Sequence, residues 1–235
     1  MSLLATFRSS SADGGGGAVS VPSMGSGADS TSDEFRLIKW HFLANTGAAT
    51  ASGRNPRVIL ITSARPGEGK SYVAHHLTAN FALDPQAELT LIDANFENPA
   101  LGSSSWMGGG AGGPGLLDYL DSGGVDQGRI VKSTGLGNVK VILSGSHHDN
   151  APELLANGRL ETLLASLAGG NAYVIIDAGS VLSNGGAAVL ARYAGQTAFV
   201  IAANTTSRAD ITQGLATLDR IAGPIDEKSL GLIFN

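Results

Sequence analysis

The chain has 235 residues, 43% hydrophobic and 15% charged, which suits one domain of ordinary size with a substantial buried core. A net charge of −5 and a pI near 5.4 offer no basic surface for nucleic acid. The absence of cysteine excludes disulfides, thiolate nucleophiles and cysteine-ligated zinc, and is compatible with a reducing cytoplasm.

In chain order, residues 1–30 are Gly/Ser-rich and read as a disordered, flexible tail, leaving residues 31–235 as the folded domain. The opening "MSLLATFRSS" lacks the basic flank of a signal peptide, and nowhere is there the run of about 18 apolar residues that a membrane-spanning helix needs. Next, Ser32 or Asp33 is placed to cap a helix "EFRLIKWHFLAN", with Phe35, Ile38 and Phe42, and Leu37 as a further candidate, at helical spacing. From Arg57 onward short apolar runs ("RVILITS", "ELTLIDA", "NVKVILS", "AYVIIDA", "QTAFVIA", "SLGLIF") alternate with helical segments at Lys70–Leu83, Leu116–Asp121, Arg159–Leu167, Ala187–Tyr193 and Arg208–Ile221. Runs that are apolar throughout, instead of every second residue, belong to strands buried on both faces. The pattern predicts an α/β, doubly wound, mostly parallel sheet flanked by helices. "LGSSSWMGGGAGGPG" is read as a loop, with Trp106 as its anchor.

The run Ala64–Ser71, "ARPGEGKS", fits the phosphate-loop pattern with Ala in the first Gly position, and it lies after a predicted strand and before a predicted helix. Gly67 and Gly69 let successive N–H groups turn toward a β-phosphate, Lys70 supplies a cation for the β/γ oxygens, and the Ser71 hydroxyl suits the Mg²⁺ shell. Pro66, Glu68 and Tyr72 complete the nucleotide-binding stretch. Asp93 and Asp177 each close an apolar strand, at the sheet edge where α/β ligands bind. They are therefore candidates to hold Mg²⁺ or to activate a hydroxyl, together with Lys70 as the catalytic set and with Ser71 as the metal set.

These residues, with "DEFRLIK", "LIDANFENPALG", "GLLDYLDSG", "NAPELLANGRLETLL", "YVIIDAGSVL", "NTTSRAD" and "LGLIFN", resemble the bacterial tyrosine autokinases of capsule and exopolysaccharide export over almost everything from Asp33 to Asn235. The resemblance implies a MinD-like P-loop sandwich that uses MgATP. It also implies a cytoplasmic protein held at the inner membrane by a polysaccharide co-polymerase that regulates chain length. Asn235 would lie near the adenine. Asp33, Arg36 and Lys39 would match the charged helix motif that joins subunits into a homo-oligomer. The resemblance breaks at Asn95 and Glu97, where the family has a second carboxylate and an arginine, and at Ala178-Gly179-Ser180, where it has Thr-Pro-Pro. No tyrosine-rich tail follows Asn235, and Tyr72, Tyr119, Tyr173 and Tyr193 are scattered. Weak or absent self-phosphorylation is the resulting expectation. An active kinase working on a partner and a MinD/ParA-like positioning ATPase stay open as alternatives; for the latter, Arg65 stands where such proteins carry an extra lysine.

Three other features are set aside. His75 and His76 are adjacent on a helix and point about 100° apart, which does not suit a shared metal. His147, His148 and Asp149 sit in a polar loop. "TGLGN" precedes a strand, whereas a dinucleotide fingerprint follows one.

Overall fold

The computed structural model describes residues 5–6, 30–46, 53–103, 112–122, 124–223 and 230–234. Its strands are β1 (Ala5–Thr6), β2 (Val58–Ser63), β3 (Leu89–Ala94), β4 (Val131–Ser133), β5 (Val139–Ile142), β6 (Tyr173–Ser180), β7 (Gln196–Ile201) and β8 (Leu230–Phe234). The helices are α1 (Ser30–Asn45), α2 (Lys70–Ala82), α3 (Leu116–Ser122), α4 (Gln127–Ile130), α5 (Ala151–Leu155), α6 (Gly158–Leu167), α7 (Val181–Asn184), α8 (Gly186–Leu190) and α9 (Arg208–Ala222). The sheet order is β1-β8-β7-β2-β6-β3-β5-β4, parallel except for the β4–β5 pair.

The strands are apolar throughout because both faces are covered. Along β2, Val58 and Leu60 enter the core beneath the later helices, while Ile59 and Ile61 enter the core beneath α1 and α2. β6 splits the same way, Val174 and Ile176 against Tyr173 and Ile175. Each fully buried Leu, Ile or Val contributes on the order of 1.5–3 kcal/mol.

α1 adds Phe35, Ile38 and Phe42 to the second core, opposite Val73, Leu77 and Phe81. Leu37 does not join them: it lies on the opposite side of the helix and is 65% exposed. The helix also begins at Ser30, ahead of the Ser32 or Asp33 cap expected from the sequence. β4 and α4 carry no apolar run to announce them. α8 stops at Leu190, short of Tyr193. Within the expected tail, Ala5 and Thr6 pair with Ile233 and Phe234 as a short parallel edge strand. Trp106 lies outside the described residues.

Candidate nucleotide site

The site forms where β2, β3 and β6 end. β2 leads into the loop 64–69, and its last hydroxyl, Ser63 Oγ, donates to the Arg65 carbonyl at 2.8 Å. Gly67 and Gly69 have φ of +82° and +89°, a region that L side chains rarely adopt. A Cβ on Gly67 would meet nothing within 4 Å, so backbone conformation, not crowding, requires glycine there. Gly69 is the N-cap of α2 and contributes no side-chain cap, so the first N–H groups of the helix face an incoming anion. Lys70 is buried at the first helical position, and Pro66 and Gly67 form the exposed rim.

β3 and β6 lie side by side in register, with Asp93 opposite Asp177. Past Asp177, β6 fits one extra residue against β2: Ile61 pairs with Asp177, but Ser63 pairs with Ser180. Such bulges re-aim side chains beside functional sites. Here the bulge falls on the Ala178-Gly179-Ser180 stretch, and the Gly179 carbonyl accepts from Thr62 Oγ1 at 2.8 Å.

The two carboxyls differ. Asp93 accepts from the backbone N–H groups of Asn95 (3.2 Å) and Leu101 (3.0 Å), anchoring the loop after β3. Burial still pushes its pKa up to about 6 against those bonds. Asp177 is fully buried, and neither oxygen has a hydrogen-bond partner of good geometry. Burial first, and then the neighbouring Asp93, push its pKa up to about 7, while the Ser71 hydroxyl and Lys70 favour the charged form.

A buried carboxylate that no backbone N–H satisfies is costly to ionise, and a divalent cation offsets that cost. Among the described residues no group of three or more His, Cys, Asp or Glu side chains is placed to hold a metal. A fit therefore rests on Asp177, the Ser71 hydroxyl, Asp93 and oxygens brought by a ligand, which suits Mg²⁺ with its preference for few protein ligands, waters and phosphates. Asn95, also buried, lies beside Gly179 and adds no charge.

The remaining predicted residues separate into groups. The Tyr72 ring turns toward α1, 3.8 Å centroid to centroid from His76, which in turn stacks on Phe35. Glu68 is also turned away: one carboxylate oxygen accepts from the Arg65 N–H and the other from the Thr206 hydroxyl. Asn235 lies outside the described residues. On α1, Asp33 and Arg36 pair with each other at 2.8 Å on the exposed side. Lys39 instead donates to the Asn80 carbonyl of α2 at 3.0 Å, so the three interface candidates do not form one free charged face. His75 is buried, and burial, then His76, lower its pKa to about 4, so it is neutral. His147 pairs with Asp149 in an exposed loop. Thr206 and Asp210, which engage loop residues Glu68 and Arg65, carried no signal in the sequence beyond lying in the quoted "NTTSRAD".

This arrangement defines the P-loop class of α/β proteins, and the fold is shared, as fold alone, with the MinD cell division protein of Aquifex aeolicus (TM-score 0.54, 20% identity, 76% of this chain and 68% of that one). The chain is 32% identical over 126 residues to the tyrosine-protein kinase CpsD of Streptococcus agalactiae, covering 54% of this chain and 53% of that protein. It thus spans about half the length of that relative. To the tyrosine-protein kinase YwqD of Bacillus subtilis it is 28% identical over 207 residues, 87% of this chain and 80% of that one. The kinase domain of the Escherichia coli tyrosine kinase ETK superposes with a TM-score of 0.72 at 25% identity, over 88% of this chain and 76% of that domain. No family model matches the chain. In sequence and in fold the chain is thus similar to bacterial tyrosine kinases.

Proposed function

We propose that the protein binds MgATP in this site and regulates the polymerisation or export of an exopolysaccharide together with a membrane co-polymerase. One observation carries the nucleotide part: Asp177, buried and with no backbone donor to its carboxyl, stands beside Lys70 and Ser71 at the mouth of a loop set by two left-handed glycines. Bound there, Mg²⁺ supplies positive charge to the phosphate oxygens. The chain's own contribution is to orient the phosphates on the N–H groups of residues 67–72, to neutralise them with Lys70 and to keep two carboxyls facing them. In phosphoryl transfer, catalysis is mostly positioning and charge stabilisation, so Asn95 in place of a carboxylate weakens chemistry more than binding.

The polysaccharide role rests on the family resemblance over several motifs, and a cytoplasmic location at the inner membrane follows from the same source. No described helix is long and apolar enough to cross a membrane, so attachment goes through the co-polymerase in this reading. The isolated protein is largely monomeric, since Asp33 and Arg36 satisfy each other and Lys39 is engaged within the chain. Two experiments test the proposal. Mass spectrometry after incubation with MgATP, alone and with the co-polymerase, should find little phosphotyrosine on this chain. Cell fractionation should lose the membrane-bound pool when the co-polymerase is deleted; a pool that persists refutes the docking.

A further inference from the structure

The phosphate loop is held from outside by the segment joining β7 to α9. Glu68 lies between the two left-handed glycines and is 4% exposed, an acid buried in a loop read here as binding a polyanion. Its position between inward-turned peptides sends the side chain away from the phosphate nest, where its oxygens take the Arg65 N–H and the Thr206 hydroxyl. The first bond closes the loop on itself. The second ties it to Thr206, whose hydroxyl oxygen also accepts from the Ala202 N–H at 3.0 Å and so fixes the turn 202–206. That turn passes through Asn204 at φ +68°, an uncommon conformation for a residue other than glycine.

A second tie runs in parallel. Arg65 pairs with Asp210 at 2.7 Å, and Asp210 exchanges hydrogen bonds with Ser207, the N-cap of α9. The exposed Arg65–Asp210 pair is worth little by itself. The part-buried Glu68–Thr206 bond joins a charged acceptor, itself buried, to a hydroxyl and is the stronger tie.

We propose that Glu68 and Thr206 are positioning residues for the nucleotide site, acting as one unit that holds the phosphate loop open in its anion-ready shape and links nucleotide occupancy to the start of α9. This rests on the phosphate-loop reading above, and the test separates the two. MgADP is titrated calorimetrically into the full chain and into Thr206→Val, Thr206→Ser, Glu68→Ala, Glu68→Ala/Thr206→Val and Lys70→Ala. Thr206→Val should weaken binding about tenfold and Thr206→Ser, which restores the hydroxyl, less than about twofold. In the double variant the second change should add nothing to the first, as expected of groups that act together. Hydrogen exchange at residues 203–210 should slow on MgADP addition in the unmodified chain but not in Thr206→Val. Wild-type affinity in Thr206→Val while Lys70→Ala loses affinity overturns this inference alone, as do additive losses in the double variant. Undiminished binding by Lys70→Ala overturns the phosphate-loop reading beneath it. Should Glu68→Ala fail to fold, the Thr206→Val and Thr206→Ser pair decides the matter.

Discussion

β3 and β6 carry aspartates in register near their carboxyl ends, both buried and both raised in pKa, yet the residues that follow treat the two carboxyls differently. After β3 the chain curls back, and the N–H groups of Asn95 and Leu101 close on Asp93. After Asp177 the strand bulges and runs on through Ser180 into α7, and no N–H returns to Asp177. The contrast teaches that a carboxylate at a strand end can serve the fold or be left for a ligand, and that the path of the next few residues decides which. Asp93 does part of both. Asp177 has no structural employment that these contacts reveal.

The largest expected effect lies at the start of α2. Lys70→Ala removes a charge-assisted phosphate contact worth ~1.5–3 kcal/mol, so nucleotide affinity measured by calorimetry should fall at least about tenfold. Unchanged affinity would break the assignment and leave both carboxylates without a ligand to serve.

Next comes a difference of sign. In metal-free buffer near neutral pH or above, Asp93→Ala strands two buried backbone donors and should lower Tm by several degrees, at roughly 2–4 °C per kcal/mol for a chain of this size. Asp177→Ala strands none and removes a desolvated charge, so its Tm should hold steady or rise. Equal losses in the two variants would erase the contrast.

The pH dependence follows from the same groups. Both aspartates have folded-state pKa values above the ordinary carboxylate value, at about 6 and about 7. Between about pH 4 and pH 7 the folded state therefore binds more protons than the unfolded state, and stability without metal falls as pH rises through that window. Thermal melting against pH should show this slope, and Asp177→Ala should flatten its upper part. Because metal binding requires ionised carboxyls, Mg²⁺ should strengthen with pH over the same range.

The smallest effect concerns Asn95. Asn95→Asp restores a carboxylate beside Asp93 and should raise ATP turnover a few-fold while lowering stability without metal. A fall in turnover, measured by ADP release, would contradict the view that missing charge limits the chemistry.

The sheet, the loop and the placing of both aspartates were legible in the sequence, but the contrast between them was not. Apolar runs without alternation announced the two-faced sheet, and the six strands so recognised lie within about two residues of their observed ends. The spacing of Gly67, Gly69, Lys70 and Ser71 announced the loop. The sequence also carried both aspartates to one edge, since parallel strands put their carboxyl ends together. It did not separate their roles, because the bonds to Asp93 come from backbone N–H groups that any residue supplies. Nor did it foresee that Glu68 turns inward to Thr206, 138 positions away, or that Lys39 caps α2. A charged side chain at helical spacing reads the same whether it faces solvent or reaches a neighbouring carbonyl.

The most direct test of the account asks whether Asp177 is kept free for a metal-bound nucleotide. ATP affinity is measured by calorimetry with and without Mg²⁺ for the unmodified chain and for Asp177→Ala. The account predicts that Mg²⁺ tightens binding about tenfold or more in the unmodified chain, and that Asp177→Ala binds ATP without metal as before but gains almost nothing from Mg²⁺. A full Mg²⁺ gain in Asp177→Ala would contradict it.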